Sequence, residues 1–407
     1  MKTPFLVILV LLMAACAERE NEPEVVPETA PPAATKTDPV AAPGPRLALW
    51  VLAEGSQRVL EDPARVARLL DEASRAGITD LLVQIYRRGK SWFPSNHADD
   101  GPYRAIQARL GDTSTSTVTD LVAAAHARKI RVHGWFNVLS LANNDRAPLL
   151  RHLGREAVLV DRDGRSLLDY PGYDVPVPDR LHTRIGTPGI YLDPGVPGVI
   201  EYLENTVDDL VQAVPELDGL HLDYIRHPLA LPIVPGSRFD VGLDFGYGDG
   251  TRERFEAESG MTFRRGDAWD HFRREQVNEL VRRLGARLPE RWEYSAAVFP
   301  WADRAYLAAM QDWRRWLDED WMDFVVAMAY TRDDRLLRYV AHALRGGIGG
   351  DRVWLGLGAW LFLKQPDRIQ DQIDRALNTE PAGIALFSYD SLATKTGLLE
   401  GIHWTTK

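Results

Sequence analysis

The chain has 407 residues, and its 58 acidic against 48 basic side chains give a formal net charge of -10 at pH 7. This charge argues against a nucleic acid partner, because binding to a phosphate backbone requires a basic surface. The chain has one cysteine, which excludes an internal disulfide, so its stability must come from a hydrophobic core, which a chain of this length can bury.

Residues 1–15 have the pattern of a signal peptide. A lysine precedes an apolar segment over residues 5–13, and two alanines then supply a small-residue cleavage site. The apolar segment is too short to span a bilayer. Cys16 follows directly, and this arrangement resembles the lipobox of bacterial lipoproteins. We therefore expect lipidation of Cys16, with ordinary secretory cleavage nearby as the alternative.

Residues 16–45 are predicted to form a disordered tether behind the acylated cysteine. The segment is rich in Glu, Pro, Ala and Thr and has almost no large apolar side chain, so nothing offsets the entropy of ordering it. Its expected reach is about 30 to 90 Å. Ala17 rather than Asp follows Cys16, which by resemblance to enterobacterial sorting rules favours the outer membrane. We expect a lipid-anchored envelope protein on the outer membrane, facing the periplasm.

Residues 46–407 are predicted to form one (β/α)₈ TIM barrel. Apolar strand-like runs alternate with amphipathic helical patterns, which is typical of a parallel sheet with crossover helices. The eight predicted strands cover residues 47–53, 80–86, 130–137, 219–225, 292–299, 323–330, 353–360 and 383–389. The predicted helices cover residues 63–76, 118–129, 199–214, 269–288, 306–318, 335–345 and 367–378, with a last helical piece after residue 391. Long loops follow strands 3 and 4, over residues 138–198 and 229–268, and we expect both to wall one cleft.

Asp223 is the leading candidate for catalysis. It lies at the end of the apolar run that forms the fourth predicted strand, where an ionised carboxylate is unfavourable unless it is paired or used. In a barrel of this type the carboxyl ends of the strands form the active site. The alternative is that Asp223 and Arg226 form a structural ion pair.

The other strand ends predict a site rich in aromatic, amide and acidic groups, as carbohydrate binding requires. The expected substrate-binding residues are Gln84, Tyr86, His133, Trp135, Asn137, His221, Arg226, Met328, Tyr330, Trp360, Tyr389 and Asp390. Hydrolysis of a glycosidic bond needs two carboxyl groups. The expected partners for Asp223 are Asp193, Glu54 and Asp333, with Asp390 a further candidate. For Asp193 the alternative role is to shape a turn.

Several motifs in order resemble the glycosyl-hydrolase-like family ten of bacterial envelope lipoproteins. They cover residues 84–87 with Tyr103, 125–127, 132–137, 191–195, 219–228, 244–247, 311–313 and 323–330. The resemblance implies a barrel that hydrolyses glycan strands, with bacterial cell-wall glycan (peptidoglycan) as the polysaccharide substrate. Through distant kinship to α-amylase and α-galactosidase barrels, it also implies that Asp223 is the nucleophile. The acid that amylases carry on strand five has no counterpart among residues 294–299.

Two other functions remain open. The missing acid on strand five favours a glycan-binding lipoprotein on a TIM-barrel scaffold without catalysis. A metal-dependent hydrolase would use His133, His221 and Asp223, but the paired histidines that such barrels often carry on strand one are missing. We expect no metal and no cofactor, since a phosphate-cradling loop with its lysine is also missing. The sequence does not determine the oligomeric state.

Overall fold

The computed structural model describes residues 45–111, 116–177, 183–232, 243–394 and 397–404. The predicted signal peptide over residues 1–15, Cys16 and the tether as far as residue 44 lie outside the described residues. Within the described residues, no helix has both the length and the apolar character that crossing a bilayer requires.

Eight parallel strands close into a barrel, which confirms the predicted (β/α)₈ fold. Each strand pairs with the next along the chain, and the eighth pairs with the first. The strands are β1 (Arg46–Val51), β2 (Asp80–Arg87), β3 (Arg131–Asn137), β4 (Gly219–Asp223), β5 (Glu293–Val298), β6 (Phe324–Met328), β7 (Val353–Gly358) and β8 (Gly383–Phe387). Every strand prediction therefore overlaps an observed strand.

Helices follow the strands and cover the outside of the barrel. They are α1 (Pro63–Arg75), α2 (Gly101–Leu110), α3 (Thr117–His126), α4 (Pro148–Leu153), α5 (Pro197–Ala213), α6 (Asp249–Ser259), α7 (Asp267–Gly285), α8 (Ala302–Ala308), α9 (Trp313–Asp318), α10 (Asp334–Arg345), α11 (Asp367–Leu377) and α12 (Tyr389–Leu392). The helices α2, α4 and α6 were not predicted.

The prediction of one helix over residues 306–318 is wrong, because the helical conformation is interrupted between α8 and α9. Met310 has a positive φ of 55°, which a helix interior does not allow. The Gln311 side chain turns back to β5, where it accepts a hydrogen bond from the Phe299 backbone N–H at 2.9 Å. This hydrogen bond connects the segment between α8 and α9 to the carboxyl end of β5.

The core has two parts, because side chains alternate across each strand. Outward residues of the strands pack against the helices and form the large cluster, whereas inward rings such as Trp50, Trp135 and Trp354 fill the barrel. Glycines make room for these rings. A Cβ at Gly383 would lie 2.4 Å from the Trp354 ring, so a larger residue there would displace the tryptophan.

A bulge in β2 reverses the alternation at its end. Gln84 pairs with Trp135, but Tyr86 pairs with the next residue of β3, Phe136, so Ile85 is an extra residue. Tyr86 therefore faces the helices, and its ring stacks on Phe136 with 3.9 Å between centroids.

The long loops after β3 and β4 contact each other. Asp161 in the first loop forms a β-bridge with Phe245 in the second. Asp193 in the first accepts a hydrogen bond from the hydroxyl of Thr251 in the second at 2.8 Å. The two loops therefore support each other beside the carboxyl end of the barrel.

The amino-terminal end of the barrel is closed by a polar network. Asp80 is fully buried and accepts hydrogen bonds from Arg46 at 3.2 Å and from His133 Nε2 at 3.0 Å. Arg46 also donates to Glu293 at 2.6 Å, and its guanidinium lies 4.7 Å from the centre of the Trp354 ring. Burial would raise the pKa of Asp80, but the hydrogen bonds from His133 and Arg46 outweigh it and hold that pKa well below its usual range.

We expect Asp80→Asn to lower the free energy of unfolding by about 3 kcal/mol, because Arg46 and His133 lose their buried partner. The lowered pKa of Asp80 also determines how the stability depends on pH. The contribution of Asp80 is complete above its ordinary pKa of 3.8 and is lost as the pH falls further, so the variant should lose stability less steeply in acid. Urea unfolding at pH 7 and at pH 3 measures both effects.

The matched control is Asp71→Asn, which weakens a surface ion pair with Arg128 at 2.8 Å. An exposed pair contributes at most about 1 kcal/mol, so this variant should unfold close to the parent. Equal effects of the two substitutions would contradict the central role of the network.

Candidate active site

A cavity of about 430 Å³ opens at the carboxyl ends of the barrel strands. Its volume is typical of the lower part of the range for small-molecule sites. It is lined by Trp50, Leu52, Gln84, Arg87, Arg88, Trp135, Asn137, Ser140, Ala142, Thr187, Asp223, Tyr224, Arg226, Ala297, Phe299, Trp301, Met328, Tyr330 and Phe387. Of the predicted site residues, the structure brings seven together here: Gln84, Trp135, Asn137, Asp223, Arg226, Met328 and Tyr330.

Asp223, the last residue of β4, lies in the wall of this cavity and is 7% exposed. Its Oδ2 accepts a hydrogen bond from Trp135 Nε1 at 3.2 Å, and its Oδ1 accepts one from the Tyr224 backbone N–H at 2.7 Å. Burial raises the pKa of Asp223, and the nearby charge of Arg226 and these two hydrogen bonds offset only part of that rise. The carboxyl group therefore keeps its proton to a higher pH than an ordinary aspartate.

Arg226 does not neutralise Asp223 directly. Among the described residues, Asp223 forms no ion pair. The Arg226 guanidinium instead lies against two rings, 4.8 Å from the centre of Tyr224 and 4.4 Å from that of Phe299. Tyr224 has a positive φ of 53°, so the chain turns sharply as β4 ends. This turn places the arginine in the cavity wall beside the acid, where it acts through space.

Two amide side chains form a polar pair in the cavity wall. Gln84 Nε2 donates to Asn137 Oδ1 at 3.3 Å, and both residues are almost fully buried. Gln84 Oε1 has no hydrogen-bond partner although it is buried and its residue lines the cavity. A buried acceptor without a partner is unfavourable, which makes Gln84 a candidate for contact with a bound ligand.

Aromatic rings cover much of the cavity wall. Phe387 lies at the centre of a cluster, with its ring centroid 5.8 Å from Trp50, 6.1 Å from Trp135 and 5.8 Å from Tyr330. Trp301, after β5, remains 39% exposed at the mouth. Rings that pack together in this way present apolar faces next to the amide pair, which is the combination that sugars need.

The two candidate histidines are placed below the cavity. Both nitrogens of His221 are engaged within the barrel, Nε2 by Trp50 Nε1 at 3.3 Å and Nδ1 by Ser295 Oγ at 2.9 Å. Burial lowers the pKa of His221 well below its usual range, so the ring is neutral. His133 belongs to the amino-terminal network with Asp80. The hypothesis of a metal site made by His133, His221 and Asp223 therefore has no convergent ligand set.

Within the described residues, the group that comes nearest to a metal site is Asp80, His133 and Glu293. Two arginines already occupy its carboxylates: Arg46 bonds to both acids, and Arg131 lies 3.1 Å from Asp80. We interpret this group as part of the structural network.

The predicted partner acids of Asp223 lie outside the cavity lining. Asp193 is buried and accepts hydrogen bonds from the Gly195 N–H at 2.8 Å and from Thr251, which is the turn-shaping role. Burial raises the pKa of Asp193, as it does for Asp223. Asp333 is the N-cap of α10 and accepts from the backbone of its first turn.

Two more acids surround the mouth. Glu54 bonds to Arg87 at 3.2 Å and to Arg88 at 3.4 Å, and both arginines line the cavity. Asp390 accepts a hydrogen bond from the Gln57 backbone N–H at 2.8 Å and so fixes the loop after β1. Glu54 therefore contacts the side chains of the cavity wall without lining the cavity itself, whereas Asp390 has a structural role.

Three predicted substrate-binding aromatics also lie elsewhere. The bulge in β2 turns Tyr86 toward the helices. Tyr389 is buried against α1, with its hydroxyl 3.0 Å from Glu72. Trp360 is 46% exposed in the short helix after β7, next to the mouth but outside the cavity lining.

Several lining residues were not predicted: Trp50, Leu52, Arg87, Arg88, Tyr224, Trp301 and Phe387. Trp50 and Phe387 have the inward parity of their strands, so the alternation of β1 and β8 would have identified them. Trp301 lies in the loop after β5 and has no such signal.

Comparisons with known proteins identify a family and a fold. The family described as Glycosyl hydrolase-like 10 matches residues 47–337. Glycosyl hydrolase DigH of Escherichia coli is 23% identical over 408 residues, which cover 90% of this chain and 84% of that protein. Glycosyl hydrolase YngK of Bacillus subtilis is 20% identical over 291 residues, which cover 67% and 50%.

Solved structures show the same fold. The glycoside hydrolase domain of PgaB (BpsB) from Bordetella bronchiseptica has a TM-score of 0.60 at 14% identity, over 88% of this chain and 97% of that chain. α-L-fucosidase isoenzyme 2 from Paenibacillus thiaminolyticus has a TM-score of 0.56 at 10% identity, over 88% and 48%. The family and the barrel together support a glycan-acting, hydrolase-like function. Because the family model matches residues 47–337, which include most of the barrel, the chain belongs to the glycosyl hydrolase-like 10 family.

Proposed function

We propose that this protein is a glycoside hydrolase of the bacterial envelope that cleaves the glycan strands of peptidoglycan, with Asp223 as the proton donor. One observation carries the proposal: a buried carboxyl group with a raised pKa lines a cavity of aromatic rings and amides at the catalytic end of the barrel.

The raised pKa favours the acid role over the nucleophile role that kinship to amylases implies. A nucleophile must be ionised, whereas a general acid must hold a proton that it can deliver to the leaving oxygen. Burial favours the protonated form of Asp223. Trp135 and the Tyr224 backbone hold the carboxyl group in place through hydrogen bonds to its two oxygens.

The remaining groups suit a sugar. Gln84 Oε1 offers an unpaired acceptor, and the rings of Trp50, Trp135 and Phe387 offer apolar faces. Tyr330 lines the same cavity, and burial followed by the charge of Asp223 raises its pKa, so its hydroxyl stays a donor.

The envelope location and the substrate rest on the sequence. The signal peptide pattern, Cys16 in a lipobox-like position and the tether over residues 16–45 support a lipid anchor. A protein held on the outer membrane and facing the periplasm would meet peptidoglycan as its nearest polysaccharide.

We expect Asp223→Asn to lower the release of reducing ends from purified peptidoglycan glycan by about 10²- to 10⁴-fold, because the amide cannot donate the proton. Undiminished turnover would refute the proposal. Asparagine has one acceptor oxygen for the two N–H groups that bond to Asp223, so one of these hydrogen bonds is lost. Because the pKa of Asp223 is raised in the folded state, the parent loses stability as the pH rises above the unfolded pKa, and the variant should not show this loss in urea unfolding at pH 3 and pH 7.

Asp333→Asn is the matched control, since asparagine also caps a helix and Asp333 lies outside the cavity. It should keep the parent's turnover. Glu54→Gln tests the acid nearest the mouth, and a loss comparable to that of Asp223→Asn would assign the second carboxyl role to Glu54.

The pH profile gives a second prediction. If Asp223 donates the proton, kcat/KM falls on the alkaline side with an apparent pKa above the ordinary aspartate value of 3.8, because burial retains the proton. A rate that depends on the ionised form of Asp223 would instead rise over that range. Initial rates on a soluble glycan fragment between pH 3 and pH 9 distinguish the two.

Gln84→Leu should raise KM or lower kcat/KM by about 5- to 150-fold, since one hydrogen bond from the substrate to Gln84 Oε1 is lost in a dry site. The exposed Gln365→Leu is the control and should leave both constants unchanged. Unchanged kinetics for Gln84→Leu would show that this oxygen does not contact the substrate.

One observation favours a second candidate, a glycan-binding lipoprotein without catalysis. Among the described residues that line the cavity, Asp223 is the one carboxylic acid, whereas the common mechanisms of glycoside hydrolysis use two. A pull-down in which the protein retains peptidoglycan glycan but never shortens it, across pH and glycan types, would favour this candidate.

A further inference from the structure

A second concave site lies on the outside of the barrel, between α10 and α11. It is a groove of about 390 Å³, lined by Asp334, Arg335, Arg338, His342, Arg375, Asn378 and Thr379. Three of these seven residues are arginines and one is an acid, although the chain as a whole carries a net charge of -10. The groove is therefore a local positive region on an acidic protein.

The one acid of the groove is already engaged. Asp334 Oδ1 accepts hydrogen bonds from Arg368 at 2.8 Å and from Gln372 at 2.7 Å, and its Oδ2 lies 3.4 Å from Arg375. Arg335 and Arg338 are exposed and form no ion pair with any residue that the structure describes. Two guanidinium groups one helical turn apart repel each other unless an anion lies between them.

The donors of the groove suit a phosphate group. Guanidinium groups bind phosphate oxygens through parallel N–H bonds, and a phosphate offers more acceptor oxygens than a carboxylate does. Arg335 and Arg338 supply such donors, next to Arg375, which is paired with Asp334, and to the amide of Asn378 after α11.

Next to Arg335 and Arg338, the surface of α10 carries two exposed apolar side chains. Leu336 is 36% exposed and Tyr339 is 57% exposed, and they lie one turn apart next to Arg335 and Arg338. Basic residues beside exposed leucine and tyrosine are the pattern of helices that lie on a membrane surface. A free phosphate compound in water would not need this apolar border.

We propose that the groove between α10 and α11 binds the phosphate of an anionic membrane lipid, with Leu336 and Tyr339 entering the interface beside it. The barrel then rests with α10 against the membrane and its mouth stays open, because the groove is on the outer helices and the cavity is at the strand ends. This contact rests on the proposed envelope location and is independent of hydrolysis by Asp223.

The test uses the mature chain from residue 16 with Cys16→Ala, so that neither the signal peptide nor an acyl chain contributes to binding. Vesicles of phosphatidylglycerol and phosphatidylcholine are compared with pure phosphatidylcholine by cosedimentation. Arg335→Gln with Arg338→Gln should weaken binding to the anionic vesicles on the order of 30-fold and leave binding to neutral vesicles unchanged. Tyr339→Ser should weaken binding to the anionic vesicles as well.

Arg264→Gln is the control, because Arg264 is exposed and has no ion pair with a described residue. It should bind as the parent does. Equal binding of the parent and the double variant to anionic vesicles would overturn the proposal. The proposal would also be overturned if inorganic phosphate, at a concentration equal to that of the lipid phosphate, released the protein from the anionic vesicles. That result would identify a free phosphate ligand. Peptidoglycan hydrolysis by each soluble variant is measured in parallel, so that failure of the membrane contact and failure of the glycosidase proposal are separate results.

Discussion

Closure of the sheet between β8 and β1 is the constraint on which the rest of the structure depends. Once the ring is closed, every second side chain of eight strands enters one narrow interior, and each must be compatible with its neighbours at the same height. The interior is accordingly layered. A charged network occupies the amino-terminal end, tryptophan and phenylalanine rings fill the middle, and a cavity with one carboxyl group forms the carboxyl end.

Large rings in the middle separate the two polar ends. Trp354 and Phe324 stack with 4.1 Å between centroids above Arg46, and Trp50 reaches up to His221 and Phe387. These rings lie between the charged network and the floor of the cavity. The charges near Asp223 are therefore those of the cavity wall, with Arg226 the one that acts on its pKa.

The strand pattern was predictable because each strand is a local apolar run between helical patterns, and every barrel strand was identified. The sequence pattern did not show which inward-facing residues lie high enough along a strand to reach the cavity. His133 has the same inward parity as Asn137 but lies four residues earlier, about 13 Å lower along the strand, so it reaches the network and not the cavity. Tyr86 failed for a different reason, since the bulge at Ile85 depends on how β2 pairs with β3. The acids in loops were ambiguous because capping, turn formation and catalysis all use a carboxylate, and only tertiary contacts distinguish the turn acid Asp193 from a catalytic one.

Three buried aspartates show which observation identifies a chemical role. Asp80 has a lowered pKa, because the hydrogen bonds from His133 and Arg46 outweigh burial. Asp193 and Asp223 both have a raised pKa, because burial outweighs their hydrogen bonds and the charges of nearby arginines. The shift alone thus separates a structural ion pair from an unpaired acid but does not separate a turn from a site. Both acids accept hydrogen bonds on their two oxygens, but Asp193 lies away from the cavity, whereas Asp223 lies in the cavity wall. Burial keeps the proton on the carboxyl group and the cavity gives a substrate access to it, and among these three aspartates only Asp223 has both.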